Sequence, residues 1–396
     1  MINGVRVPPN AIYLDYQATT PTDPRVVDAM MPYLVQRFGN PHSGSHLFGH
    51  EASDAVEHAR EQVATLIGAE AREIVFTSGA TESNNLAIKG AGRFLKSRRH
   101  KLVTVATEHK CVLESAKSLI AEGCELTILP VERDGLVDLD RLAAAVDDQT
   151  ALVSVMAVNN EIGVVQDLAA IGAITRAAGA LFHTDAAQGF GKIPLDVAAQ
   201  QIDLMSISGH KIYAPKGIGA LYVRHRPRVR LEPLFSGGGQ ERGLRSGTLA
   251  PALIVGLGEA AEIAGREMAT EAARLGELSA LFLARLGPDV TVHGNRTRRI
   301  AGNLNLGFEG VGALSLMGLV PDLALSVGSA CTSAEVEPSY VLTALGIDRA
   351  TAAAAVRIGF GRFTSEAELL RAADRIKGAV AGLRAAGLRP VLERAT

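Results

Sequence analysis

Between residues 70 and 225 the chain alternates two hydrophobic patterns: short apolar runs, and stretches whose apolar positions recur every three or four residues. The runs Glu73–Ser78, Leu102–Ala106, Leu126–Leu129, Ala151–Ala157, Leu181–Thr184, Leu204–Ile207 and Gly217–Val223 predict strands. The spacing within Glu82–Lys89, Cys111–Ala121, Leu139–Val146 and Leu168–Ala178 predicts helices between them. Such alternation predicts an α/β fold, a large domain with a mainly parallel sheet between helices. Ligands in sheets of this kind bind beyond the carboxyl ends of the strands. Past Pro251 the chain is Ala- and Leu-rich with helical spacing, and short strands follow near Thr291 and Leu304. This predicts a second, smaller α+β domain. The Arg-rich tail after Ala385 predicts a helix end and a frayed terminus.

Chemistry gathers at the predicted strand ends. Lys211 follows the run Leu204–Ile207 in Ser208-Gly209-His210-Lys211, and Asp185 ends an earlier one in His183-Thr184-Asp185-Ala186-Ala187-Gln188. An amine for an aldehyde and a carboxylate for a pyridinium nitrogen are what pyridoxal phosphate asks of a protein. An ionised Asp185 keeps the ring nitrogen protonated; the plain alternative is a helix cap or turn residue. Ser78-Gly79-Ala80-Thr81-Glu82 joins a strand to a helix, a phosphate seat by its N–H groups and the Thr81 hydroxyl, or an ordinary Thr-capped turn. His109, at the end of another strand, suits ring stacking and proton transfer, or is a satisfied core histidine.

Composition narrows the classes. The 396 residues are 47% hydrophobic and 21% charged, enough for one large domain with a smaller one. A net charge of -2, no Trp and 4% aromatics predict neither a nucleic-acid surface nor a base-stacking platform. Apolar stretches are broken well short of a membrane span. The expectation is a soluble cytoplasmic enzyme, or one of the mitochondrial matrix if a transit peptide has been removed.

Cys111, Cys124 and Cys331 are too few and too scattered for a disulfide framework. Cys331 stands among small residues in Ser326-Val327-Gly328-Ser329-Ala330-Cys331-Thr332-Ser333, a setting for a mobile reactive thiol, or for a small buried hydrophobe. Cys111 is the rival nucleophile, at a packed helix start. Arg357 alternates with apolar residues in a predicted strand, and a buried arginine needs an anion, which a substrate carboxylate supplies. His42, His46 and His50 lie four apart, but Pro41, Gly44 and Gly49 break the helix a metal face needs. No metal is expected, and Asn40-Pro41-His42-Ser43 reads as a loop lining the cleft.

Taken in order, these segments resemble the cysteine desulfurases of the IscS/NifS type, within the class V aminotransferases and fold-type I pyridoxal phosphate transferases. Further stretches that carry the likeness are Tyr13–Thr20, Phe38–Ser43, Thr107–Lys110, Val158–Gly163, Arg245–Thr248 and Gly328–Ser333. The resemblance implies a large cofactor-binding domain of residues 21–264, with 1–20 and 265–396 forming the small domain that carries the cysteine loop. It implies Lys211 as the Schiff-base lysine, Asp185 at the pyridine nitrogen and Gln188 at the ring hydroxyl. Thr81, Ser208 and His210 would hold the phosphate, Ala80 would also bind the cofactor, and His109 would stack on the ring and assist proton transfer. Asn160, Arg357 and Asn40 would bind substrate, with Asn160 and Arg357 on its carboxylate. Thr248 would reach the phosphate of the other subunit of a homodimer.

The implied reaction takes sulfur from L-cysteine onto Cys331 as a persulfide and releases L-alanine. The sulfur then passes to an acceptor protein for Fe–S assembly or thio-modification, and Cys331 would ligate an Fe–S cluster only in complex with a scaffold. Ala214 and Val327 replace the family's usual Gly and Ser. The segment Val391–Thr396 lacks the ending that docks the scaffold in close relatives, which leaves the acceptor open. The alternatives are a selenocysteine lyase or another class V aminotransferase, and a non-catalytic sulfur carrier. Cys331 argues against the transaminase, and Lys211, Asp185 and His109 against the carrier.

Overall fold

A computed structural model describes residues 10–327 and 338–386. The predicted alternation folds into a seven-stranded sheet. From one edge its strands are Ile74–Thr77, Gly219–Val223, Leu204–Ser208, Leu181–Asp185, Thr150–Ser154, Lys101–Val105 and Glu125–Leu129. Helices, including Ala80–Leu95, Lys110–Ser118 and Leu168–Ala178, form most of the links between them. Burial on both faces explains why the central strands read as continuous apolar runs.

One strand runs against the rest: Gly219–Val223 is antiparallel to both its neighbours. The cause is the link that precedes it. A parallel return needs a crossover of about a dozen residues or more, usually helical. Residues 209–218 hold only a short 3-10 turn, Gly209–Lys211, so the chain doubles straight back. That tight return leaves Lys211 just beyond the carboxyl end of Leu204–Ser208.

Gly219 brings a second element to the same place. A Cβ there would stand 2.4 Å from the Ile207 carbonyl oxygen and 2.6 Å from the Gly79 Cα. Without a side chain, the Ser78–Thr81 turn closes onto the sheet beside Lys211. The outer edge is held by a buried pair: Arg60 donates through both Nη atoms to Glu241, at 2.8 Å each, and Glu241 accepts from the Phe76 N–H at 3.0 Å. The glycine-rich segment Ser236–Gly243 is anchored by this contact.

The Ala- and Leu-rich region past Pro251 is one helix of 36 residues, Pro251–Leu286. Ile254, Leu257, Ala260 and Ile263 on its first half belong to the core under the sheet. Leu275, Leu278, Phe282 and Leu286 on its second half belong to a separate core. The second core also takes Ile12 and Leu14, the antiparallel strands Asn303–Phe308 and Val356–Gly359, and the helix Glu366–Ala385. Ser365 and Glu368 cap that last helix reciprocally.

Candidate active site

The carboxyl end of the sheet opens into a cavity of about 630 Å³. Among the sequence-predicted residues, Ala80, Thr81, His109, Asn160, Asp185, Gln188, Ser208, His210, Lys211 and Arg357 line it. Asn40 and Thr248 are exposed and lie off its wall. Cys331 lies outside the described residues, but Ser326 and Tyr340, on either side of it in sequence, both line the cavity.

Lys211 and Asp185 come from neighbouring parallel strands, with Asp185 opposite Ser206 in register. Lys211 Nζ donates to the carbonyls of Gln17 and Ala18, both at 2.7 Å. Asp185 is buried and accepts from Asn84 Nδ2 at 2.6 Å and from the Ala187 N–H at 2.9 Å. Gln188 is set by its neighbours: Nε2 donates to the Gln17 carbonyl and Oε1 accepts from Lys192 Nζ, both at 2.9 Å. Burial, with Lys211 nearby, pushes the Lys192 ammonium down to about 7.

The turn read as a candidate phosphate seat ends in a helix start that no side chain caps. The helix Ala80–Leu95 starts at Gly79, whose φ of 149° suits glycine, and no side chain caps it. Its first N–H groups therefore need a partner from outside, and an anion serves. His210 Nδ1 lies 3.1 Å from Thr19 Oγ1. Burial, and then the charges of Lys211, Lys216 and Lys192, push His210 down to about 4. At neutral pH the ring is an uncharged hydrogen-bonding group.

Arg357 is buried, as its alternating strand implied, and part of its anion comes from within the chain. Nη2 donates to Asp15 Oδ1 at 2.9 Å and Nη1 to the Asn160 carbonyl at 3.2 Å. Arg357 Nε and Asn160 Oδ1 are buried without a partner among the described residues. Unsatisfied buried polar atoms in a cavity wall mark a place for a ligand. Asp15, Asn84 and Lys192 escaped sequence reasoning, because their roles rest on contacts between distant segments.

His109 caps the helix Lys110–Ser118 and stands beside Cys111. Burial lowers its basicity, Asp185 raises it, and Lys211 and Lys110 lower it further. Beneath it, Glu108 is fully buried; burial and Asp185 push its carboxyl well above the usual range. Among the described residues no cluster of His, Cys, Asp and Glu would hold a metal, and no helix is long and apolar enough to cross a membrane.

An amine at one strand end, a buried carboxylate at the next, and an uncapped helix terminus beside them form a donor set that fits pyridoxal 5'-phosphate. The comparisons agree. The chain is 56% identical over 387 residues to "Cysteine desulfurase IscS" of Rickettsia rickettsii (strain Iowa), covering 97% of this chain and 94% of the relative. Among solved structures it resembles a "NIFS-LIKE PROTEIN" with TM-score 0.88 and 35% identity, over 94% of this chain and all of the other. It also resembles "SspA in complex with cysteine", with TM-score 0.80 and 37% identity, over 89% and 99% of the two chains. The family described as Aminotransferase class-V matches residues 12–371. With its fold, its donor set and that match in agreement, the chain belongs to the class-V aminotransferase family.

Proposed function

We propose that this chain is a cysteine desulfurase, taking the sulfur of free L-cysteine and releasing L-alanine. The observation that carries the reading is the meeting of Lys211, Asp185, the uncapped Ser78–Thr81 turn and the Arg357 guanidinium around one cavity. When bound, pyridoxal phosphate supplies an electron sink for the carbanion formed at the substrate Cα.

The chain's own residues do the rest. Arg357 orients the substrate carboxylate through the Nε left unpaired at the wall, and the Asn160 side chain donates to it from its amide nitrogen. The Lys211 amine takes and returns the Cα proton. His109, held neutral, moves a proton at the ring face. Asp185, oriented by Asn84, would serve the ring nitrogen. The Cys331 thiolate attacks the substrate sulfur: an S–S bond forms as the C–S bond breaks, and the β-carbon leaves with the electron pair and takes a proton. The small residues around Cys331 in sequence suit a nucleophile that must then hand its persulfide on.

The partners follow from the same reading. The acceptor is a protein serving Fe–S assembly or thio-modification, in the cytoplasm. The working unit is a homodimer in which Thr248, exposed here, reaches the other subunit's phosphate. An exposed apolar set of Leu34, Val35, Phe38, Leu47 and Phe48 supports a covered face. The division into 21–264 and the remainder places its boundary within the long helix, between the last sheet-core contact, Ile263, and Leu275.

The test is direct. Purified protein should be yellow and should form sulfide and alanine in equal amounts from L-cysteine under reductant. A colourless protein that forms neither after addition of pyridoxal phosphate overturns the reading.

A further inference from the structure

Four side chains beside the cavity, Asp185, Asn84, Cys111 and His109, are joined in a line, and the proposed reaction leaves the Cys111 link in it unexplained. Asn84 Nδ2 lies 2.6 Å from Asp185 Oδ2 and 3.1 Å from Cys111 Sγ. Cys111 Sγ lies 3.0 Å from His109 Nδ1, and the Cys111 backbone N–H lies 3.2 Å from the same nitrogen.

The direction of every bond in this line is fixed by chemistry. A backbone N–H can only donate, so His109 Nδ1 is an acceptor and the neutral ring carries its proton on Nε2. The Asn84 amide nitrogen can only donate, giving one hydrogen to Asp185 and one to the sulfur. The sulfur therefore accepts from Asn84 and has its own proton to give, and Nδ1 lies at bonding distance, its one lone pair shared between the S–H and the backbone N–H as a three-centre bond. The line reads Asp185 carboxylate, Asn84 amide, Cys111 thiol, His109 ring.

We propose that Cys111 is a positioning residue: its S–H, oriented by Asn84, donates to His109 Nδ1 and holds the ring neutral with its proton on Nε2. The inference rests on the desulfurase reading, in which His109 faces the cofactor ring, and assigns Cys111 the opposite role from a nucleophile. A protonated ring would point a hydrogen from Nδ1 at both the S–H and the backbone N–H, so the arrangement opposes protonation. The groups facing the pair agree. Asp185 favours a charged ring, while Lys211 and Lys110 oppose it. Burial, Asp185 and Glu108 push the Cys111 thiol up to about 12, so it remains a donor at neutral pH. The Thr81 hydroxyl and Tyr340 also face the sulfur.

The test is an NMR titration of His109 in the purified full-length enzyme, with labelled histidine, alongside the pH profile of kcat/KM. Wild-type His109 should show the Nε2–H tautomer. Removing one donor to the neutral ring in Cys111→Ala should raise its proton affinity about three- to fivefold. Cys111→Val, which fills the space without a donor, should do the same, and Cys111→Ser should restore the wild-type titration. The acid limb of kcat/KM should move with the titration. An Nδ1–H tautomer in the wild type, or Ala and Val variants that titrate like it, overturns the proposal. Because the titration needs no turnover, an enzyme that makes no sulfide but shows this series would sink the desulfurase reading and keep the bond.

Discussion

Asp15 Oδ1 and Arg357 Nη2 lie 2.9 Å apart, joining residues 342 positions apart in sequence. The pair fixes the plane of the guanidinium and leaves Nε for a ligand. An ammonium cannot reproduce such a fork. Arg357→Lys should lower kcat/KM for cysteine about 100-fold, most of it through KM. Asp15→Ala should raise KM about tenfold while leaving the cofactor absorbance intact. Steady-state kinetics on the two variants separate these outcomes, and an unchanged KM in Arg357→Lys removes the residue from the substrate site.

Lys211 and Cys331 should fail differently. Lys211→Ala is expected to lose the visible absorbance of the bound cofactor together with alanine formation. Cys331→Ala is expected to keep that absorbance and stop alanine release. Absorbance spectra and alanine assays on the two proteins check this, and sulfide at the wild-type rate from Cys331→Ala would point to another acceptor thiol.

His183 makes the fold sensitive to acid. It is fully buried between Ser154 Oγ at 2.8 Å and Ser206 Oγ at 3.0 Å, and burial pushes the ring down to about 3. An unfolded histidine titrates near 6.5. Between those values the unfolded chain binds the proton and the native one does not, so stability falls as pH falls through that window. The single site removes about 3 kcal/mol between about pH 6.5 and pH 4. His183→Gln should flatten the acid side of a urea-denaturation series relative to wild type, whatever its effect at neutral pH.

Glu241 holds Arg60 and the edge strand together inside the protein. Both side chains are nearly inaccessible, 3% for Arg60 and 1% for Glu241. Glu241→Ala leaves the buried guanidinium with only the exposed Glu57 carboxylate and the Ile74 carbonyl as partners, and should cost about 3 kcal/mol. A loss under about 1 kcal/mol in chemical denaturation would show that the pair carries little stability.

Much of this architecture is legible in the sequence because burial on both faces writes each strand as an apolar run. The ends of those runs carry Asp185, Ser208 and Lys211, so a rule about strand ends finds the cavity. What the pattern does not carry is direction: an apolar run such as Gly219–Val223 reads the same parallel or antiparallel, and the short link 209–218 decides. Nor does it carry partnership. Asn84 sits inside a helix where an amide reads as one more polar position, and its link to Asp185 spans 101 residues. Arg357 announced a need for an anion, but nothing near it in sequence named Asp15. The helical spacing past Pro251 was readable, while its continuity through both cores was not, since each half is amphipathic towards a different neighbour.

That continuity has a metrical consequence. At about 1.5 Å per residue the helix is a beam of about 54 Å, rooted in the sheet at one end and in the core that bears Arg357 at the other. One continuous rod of backbone thus ties the core that flanks Arg357 to the sheet that ends at Lys211.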